Sequence, residues 1–241
     1  MSDKNPIYYF DKIVSLGCEC SPAFYIRYSW FVQFKNYKNC ASFFGEDLKN
    51  EYPHGSFLFD NLTIPDINSI VGIFKCNFSS IFESEYMKSI RRLDKNKLCA
   101  VDTKNNLMFY HLSGLDEKFG PSSVGRRRYR TIFTKHYTIY KKKYDYLSSK
   151  MVNLINSDLD VLFITYADQP YLKFTHNLMD VLSTFSCNAS LLVLYSDKKL
   201  SSKGTQLPEK VYAKYVTGNW SGNCTHQESW LNALKEFKFK N

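Results

Sequence analysis

Two uninterrupted apolar runs constrain the fold of this chain more than any other feature of its sequence. Val161 to Ile164 and Leu191 to Tyr195 show no alternation of polar and apolar residues, which is typical of parallel strands buried on both faces. Helical stretches separate the strand signals along the chain, and this order predicts a largely parallel sheet flanked by helices. We therefore expect one α/β domain spanning residues 1–241, with a three-layer, SGNH- or flavodoxin-like arrangement.

The rest of the chain carries the other strand and helix signals. The predicted strands are Ile13 to Leu16, a short extended piece from Ser56 to Asp60, Leu98 to Asp102, Leu107 to His111, Val161 to Ile164, Leu191 to Tyr195 and Val211 to Val216. The predicted helices are Pro22 to about Phe34, Pro65 to Phe74, Arg126 to Ile155, Pro170 to Leu182 and Glu228 to Phe237. The turn from Thr103 to Asn106 predicts a hairpin between the two strands that flank it.

The cysteine content and the N-terminal residues indicate the cellular compartment of such a domain. The chain has seven cysteines without a regular spacing, and its N-terminal residues lack the apolar segment of a secretory signal. We therefore expect a cytoplasmic protein with free thiols. Its apolar runs are far shorter than the hydrocarbon core of a bilayer, so we expect no transmembrane segment.

An arginine run carries part of the net charge of +9. Arg126, Arg127, Arg128 and Arg130 are close together in the sequence, and guanidinium groups bind phosphate bidentately. We interpret this run first as a solvated helix face, and as the alternative we name these four arginines as candidates for binding an anionic substrate, cofactor or membrane surface. No zinc-finger spacing or RNA-recognition signature accompanies them, so nucleic acid is not an expected partner.

One thiol falls where an α/β sheet commonly places its nucleophile. The first strand breaks at Gly17, and Ser21 followed by Pro22 predicts a helix start. Cys20 then lies at or just before a helix N-terminus, where free backbone N–H groups and the helix dipole favour a thiolate. We predict that Cys20 is a nucleophile; the alternative is a small residue buried under the first helix.

Imidazoles and carboxylates follow several other predicted strands. Catalytic groups in open α/β sheets collect outside the carboxyl ends of the strands. Cysteine catalysis needs a base for the thiol proton and a group that orients that base. We predict His226 or His111 as the base and Asp60 as the orienting carboxylate, for hydrolysis of a peptide or ester or for acyl transfer, for instance to a glycan.

Metal and cofactor sites receive weaker support from the sequence. Cys18, Cys20, Cys224 and His226 form a conceivable four-ligand set, but no second cysteine pair with the usual zinc spacing accompanies them. The chain has neither a Gly-x-Gly-x-x-Gly motif nor a P-loop. We therefore expect no metal and no cofactor.

The segment from Ile13 to Arg27 resembles the opening signature of a mostly bacterial, uncharacterised domain family described as papain-like cysteine peptidases. That signature runs roughly Ser-Leu-Gly-x-x-Cys-x-x-Ala-x-x-Ile/Leu-Arg, and its cysteine falls on Cys20. The resemblance implies that Cys20 is a nucleophile that works with His111 or His226 and with Asp60.

Later motifs of that family are similar to shorter pieces of this chain. The matching residues are Phe59 and Asp60, Tyr110 and His111, and the two tryptophans Trp220 and Trp230. The chain departs from the family pattern at Asn61, Leu112 and Thr165.

Two alternative functions stay open at this point. The order of Cys20 and His226 is similar to that of nucleophile and histidine in SGNH-type esterases and in acyltransferases that modify surface polysaccharides. The chain could also be a binding module without catalysis, in which the Arg126 to Arg130 run and the aromatic residues hold an anionic or sugar ligand.

Overall fold

The computed structural model describes residues 6–17, 21–35, 52–60, 62–91, 98–109, 112, 123–167, 170–200, 206–217 and 226–240. The strands in these ranges are β1 (Tyr8–Phe10), β2 (Lys12–Ser15), β3 (Leu62–Thr63), β4 (Met87–Arg91), β5 (Leu98–Asp102), β6 (Leu107–Phe109), β7 (Asp160–Ala167), β8 (Asn188–Tyr195), β9 (Val211–Tyr215) and β10 (Phe237–Phe239). The α-helices are α1 (Ser21–Lys35), α2 (Asn68–Lys75), α3 (Ser123–Ile155), α4 (Leu172–Leu182) and α5 (Gln227–Leu234).

A four-stranded parallel sheet forms the centre of the fold. Its strand order is β2-β7-β8-β9, and the register pairs Ile13 with Leu162 and Leu191 with Val211. Every residue of β7 and β8 after the first is buried, as expected for strands covered on both faces. The prediction of an α/β fold with a parallel sheet is confirmed.

Alternate side chains of β7 and β8 belong to two separate apolar clusters. Phe163 and Val193 pack into a cluster with residues of α2, α3 and α4. Leu162 and Leu192 point the other way, into a cluster with residues of α1 and α5. Because side chains alternate along a strand, helices contact both faces of the sheet. The two helices that flank the predicted catalytic groups, α1 and α5, therefore share one face.

A second sheet is antiparallel, with strand order β3-β6-β5-β4. The predicted hairpin is confirmed, since Asp102 pairs with Leu107 across its turn. Strand β4 was not predicted. Because β6 belongs to this antiparallel sheet, the rule for the carboxyl ends of parallel strands does not apply to His111, which follows β6 in the sequence.

Two predicted elements are wrong in detail. The segment from Ser56 to Asp60 is a turn, in which the Asp60 carboxylate accepts the backbone N–H of Phe57 at 3.0 Å. Such a local hydrogen bond competes with strand pairing. The last helix ends at Leu234, and Phe237–Phe239 is a strand that pairs in parallel with β1.

A membrane-spanning segment is absent from the described helices, none of which combines enough length with enough apolar character. The longest, α3, has 33 residues and carries charged side chains throughout.

Candidate active site at the carboxyl edge of the parallel sheet

Strand β2 ends just before Gly17, where the sequence predicts that the first strand breaks. Gly17 has a φ of +80°, a value that side-chain-bearing residues rarely adopt. A Cβ atom there would lie 3.2 Å from Cδ1 of Ile64 and 3.5 Å from Cβ of Phe59. The backbone conformation therefore favours glycine, and a side chain there would also require the Ile64 side chain to shift.

Helix α1 begins at Ser21, with Pro22 in its first turn, which confirms the predicted helix start. The first turn of a helix has backbone N–H groups without intrahelical acceptors and carries the positive end of the dipole. Cys20 precedes Ser21 directly in the sequence, but Cys18, Glu19 and Cys20 lie outside the described residues. The environment that the helix start provides suits a thiolate or an oxyanion.

Asp60 is buried and forms an ion pair with α1. Its Oδ2 accepts the Arg27 guanidinium at 2.5 Å and the Phe57 N–H at 3.0 Å. Arg27 also donates to Oγ of Ser56 at 3.2 Å. Hydrogen bonds from the described residues reach Oδ2 only, so Oδ1 retains acceptor capacity for a further donor.

The ion pair joins two of the motifs on which the family resemblance rests. Arg27 ends the first motif and Asp60 belongs to the second, 33 residues later. Burial raises the pKa of the Asp60 carboxyl, and the Arg27 guanidinium opposes that rise. The pair therefore fixes the turn around Asp60 against the helix that starts next to Cys20.

His226 is the N-cap residue of α5 and is half-buried. Two contacts place the start of α5 at the carboxyl edge of the sheet. The backbone N–H of Val216 bonds to the carbonyl of Tyr195 at 2.9 Å, and the N–H of Thr217 bonds to Oγ of Ser229 at 2.8 Å. Ser229, in the first turn of α5, therefore lies beside the carboxyl end of β9, whereas β2, which leads to α1, is at the opposite side of the sheet.

Helices α1 and α5 are in direct contact. Gln227 donates to the hydroxyl of Tyr28 at 2.9 Å, and the ring of Trp230 stacks on Tyr25 with centroids 4.7 Å apart. Trp230 is completely buried. Burial of this ring fixes the position of α5, and hence of His226, relative to the N-terminal half of α1.

A second histidine, which sequence reasoning missed, lies near the turn that carries Asp60. Lys12 donates to Nδ1 of His54 at 2.9 Å, and the His54 ring stacks on Phe239 at 4.9 Å. Burial, together with the charges of Lys12 and Lys150, lowers the pKa of His54 to about 4. His54 is thus a neutral imidazole whose proton sits on Nε2, because Nδ1 is the acceptor.

Lys150 anchors the same turn from α3. Its Nζ donates to the carbonyl oxygens of His54 at 2.6 Å and Ser56 at 2.9 Å, and it lies 3.9 Å from the centre of the Phe57 ring. Burial, with the charges of Lys12 and Arg27, lowers the pKa of Lys150, and Asp60 opposes this. Because Arg27 and Lys150 approach from different helices, no spacing in the sequence could have revealed this cluster.

No family model, curated protein or solved structure matches this chain. The residues and their geometry are therefore the basis for any functional conclusion.

Some of the remaining predicted site residues lie outside the described part of the chain, and others lie within it. His111 lies outside the described residues, as does Cys224 of the conceivable metal set. No group of three metal-binding side chains occurs among the residues that the structure describes. Of the candidate anion-binding arginines, Arg127, Arg128 and Arg130 are exposed on α3, and Arg130 lines a cleft. The side chain of Arg126 is outside the described part of the chain.

Proposed function

We propose that this protein is a cysteine-dependent hydrolase or acyltransferase, with Cys20 as the nucleophile and His226 or His111 as the general base. One observation carries the proposal: helix α1, which begins next to Cys20, and helix α5, which begins next to His226, lie on the same face of the parallel sheet and contact each other. A thiol and an imidazole carried by two helices on one face can act on one substrate.

The proposed reaction has two steps that share one proton relay. The Cys20 thiolate attacks the acyl carbon and forms a thioester, while the leaving group departs with the proton held by the imidazolium. Water or an acceptor hydroxyl then gives its proton to the imidazole and attacks the thioester, which releases the thiolate. Backbone N–H groups in the first turn of α1 would hold the oxyanion in both steps.

Asp60 would act as the orienting carboxylate of this relay. Its free acceptor capacity at Oδ1 supports that role, and its ion pair with Arg27 opposes the rise of its pKa on burial. The three-layer, SGNH- or flavodoxin-like arrangement and the cytoplasmic location belong to the same proposal. Hydrolysis and transfer differ only in whether water or an acceptor hydroxyl attacks the thioester.

Thiol reactivity tests the nucleophile directly. The rate of alkylation by iodoacetamide is measured at each thiol by peptide mass spectrometry between about pH 5 and pH 10, a range that spans the ordinary thiol pKa of about 8.5. Exposed Cys76 serves as the internal reference. We expect Cys20 to react with a midpoint at least about one unit below that of Cys76, because the helix start favours the thiolate.

The Cys20→Ser and Cys18→Ser variants complete the test. The first should remove the fast-reacting thiol and the second should leave its rate and pH midpoint unchanged. If Cys20 reacts no faster than Cys76 at pH 6, the proposal is wrong.

A further inference from the structure

An open cleft of about 570 Å³ lies between α3 and the antiparallel sheet. Its lining includes Tyr129, Arg130, Phe133 and Thr134 from α3, and Ser84 and Lys88 from the segment that leads into and forms β4. Its volume falls within the range of small-molecule sites in proteins. None of the lining residues belongs to the proposed Cys20 site, so the cleft is a separate feature of the molecule.

Two cations face this cleft from different elements. Arg130 belongs to α3 and Lys88 belongs to β4, and both side chains are exposed. Within the described part of the chain neither of them forms an ion pair with a carboxylate. By contrast Lys141, farther along α3, contacts both Glu83 and Asp145. Arg130 and Lys88 therefore keep their charge available for an anion.

The wall between these cations is aromatic and held in place. The rings of Tyr129 and Phe133 are nearly parallel, with an interplanar angle of 8°. Phe133 packs 5.8 Å from buried Phe82, and the hydroxyl of Tyr137 donates to the carbonyl of Phe82 at 2.9 Å. These contacts fix the wall before any ligand arrives, which reduces the entropic cost of binding.

We propose that this cleft binds a phosphate monoester carried on a ring-bearing body, either a sugar phosphate or a nucleoside phosphate. Arg130 and Lys88 bind the phosphate, whose charge at neutral pH is between about −1.5 and −2, and the guanidinium provides a bidentate contact. The ring of the ligand packs against Phe133, and the hydroxyls of Ser84 and Thr134 bond to its polar groups. Of the candidate arginines whose side chains the structure describes, Arg130 lines this cleft and Arg127 and Arg128 do not, and Lys88 is a further cation of the proposed site.

Isothermal titration calorimetry on the full chain tests this proposal with glucose 1-phosphate, uridine 5′-monophosphate and inorganic phosphate. Glucose and uridine serve as the probes that lack the phosphate. We expect at least one of the two esters to bind saturably and more tightly than inorganic phosphate. Glucose and uridine should bind at least about tenfold more weakly than their esters, because charged hydrogen bonds supply most of the affinity. The ester that binds more tightly shows whether the aromatic wall prefers a sugar or a nucleoside.

Matched variants on α3 locate the site. Arg130→Gln should weaken binding of the ester by about tenfold or more, whereas Arg127→Gln, exposed on the same helix but outside the cleft lining, should leave it unchanged. Thr134→Val, which preserves shape, should weaken the ester and leave inorganic phosphate unaffected. The proposal is overturned if neither ester binds, if inorganic phosphate binds as tightly as the esters, or if the two arginine variants have equal effects.

Discussion

At the scale of single residues, the Arg27–Asp60 pair is a polar link that joins α1 to the turn around Asp60. Asp60 is 5% exposed and its partner lies 2.5 Å away. A buried pair contributes little net free energy compared with an apolar pair of similar size, but the loss of one partner leaves the other charge uncompensated. Asp60 therefore has a structural role in addition to its proposed role in the proton relay.

A double-mutant cycle measures the structural role. We expect Asp60→Asn and Arg27→Met each to lower the free energy of unfolding by about 2–4 kcal/mol, since each leaves a charged or polar group without its partner. The double variant should lose clearly less than the sum of the two single losses. Urea unfolding followed by circular dichroism measures all three, and additive losses would show that the two side chains do not interact.

His54 gives the protein a pH-dependent stability on the acid side. Its pKa is lowered from 6.5 to about 4 by burial and by the neighbouring lysines. The unfolded chain therefore takes up a proton at His54 as the pH falls below about 6.5, while the folded chain does not. Stability present above that pH should decrease between about pH 6.5 and pH 4, by no more than about 2 kcal/mol because the ring is partly solvated.

The His54→Gln variant should reduce this acid loss, since glutamine can still accept from Lys12 but does not titrate. His176, which is exposed on α4, provides the matched control. Melting temperatures measured from pH 7.5 to pH 4 should show a flatter profile for His54→Gln and an unchanged one for His176→Gln. Parallel profiles for His54→Gln and the parent protein would contradict the assignment of the acid loss to His54.

At the scale of elements, Gly17 follows β2 and precedes the segment that carries the proposed nucleophile. Gly17 lies two residues after the end of β2. Its φ is positive, and its N–H donates to Oγ of Ser15 at 3.1 Å. Ile64 and Phe59 close the space above it. Backbone conformation, the hydrogen bond to Ser15 and packing therefore all constrain Gly17.

Two glycine substitutions compare Gly17 with an ordinary helix position. Gly17→Ala should destabilise the protein by about 1–3 kcal/mol, because alanine is strained at this φ and its methyl group meets Ile64 at 3.2 Å. Gly72→Ala, within α2, should be neutral or stabilise by up to about 1 kcal/mol, since no atom lies within 4 Å of the added methyl group. Equal effects in thermal unfolding would contradict the proposed constraint at Gly17.

The antiparallel sheet has its own buried carboxylate. Asp102 accepts the backbone N–H groups of Phe82, Lys104 and Asn105, and the side-chain amide of Asn105 also donates to it. Four donors satisfy the carboxylate in a fully buried position. This arrangement closes the turn between β5 and β6 and attaches it to the segment around Phe82, which in turn supports the aromatic wall of the cleft.

At the scale of the whole molecule, local pattern was enough to predict the parallel sheet. The apolar runs in β7 and β8 are long, β-branched or leucine-rich and bounded by polar residues, so burial on both faces was the simplest interpretation. The helix start at Ser21 followed from the chemistry of its first two residues. These features depend on neighbours in the sequence, which is why they could be predicted without a structure.

Features that depend on distant partners could not be predicted. Strand β4 has no clear alternation of apolar and polar residues, and β10 is defined by its pairing with β1 at the other end of the chain. The Arg27–Asp60 pair and the contacts of His54 join residues separated by tens of positions. Periodicity does not report such separations, so these contacts of Asp60 and His54 are visible only in the folded structure.

The dependence of Cys20 alkylation on His226 tests the central claim most directly. The pH profile of iodoacetamide modification at Cys20 is compared in the parent protein and in His226→Gln, His111→Gln and His176→Gln. If an imidazolium stabilises the thiolate, replacing the correct histidine should raise the Cys20 midpoint by about one pH unit or more, while His176→Gln should not move it. Unchanged profiles for both His226→Gln and His111→Gln would contradict the proposed relay.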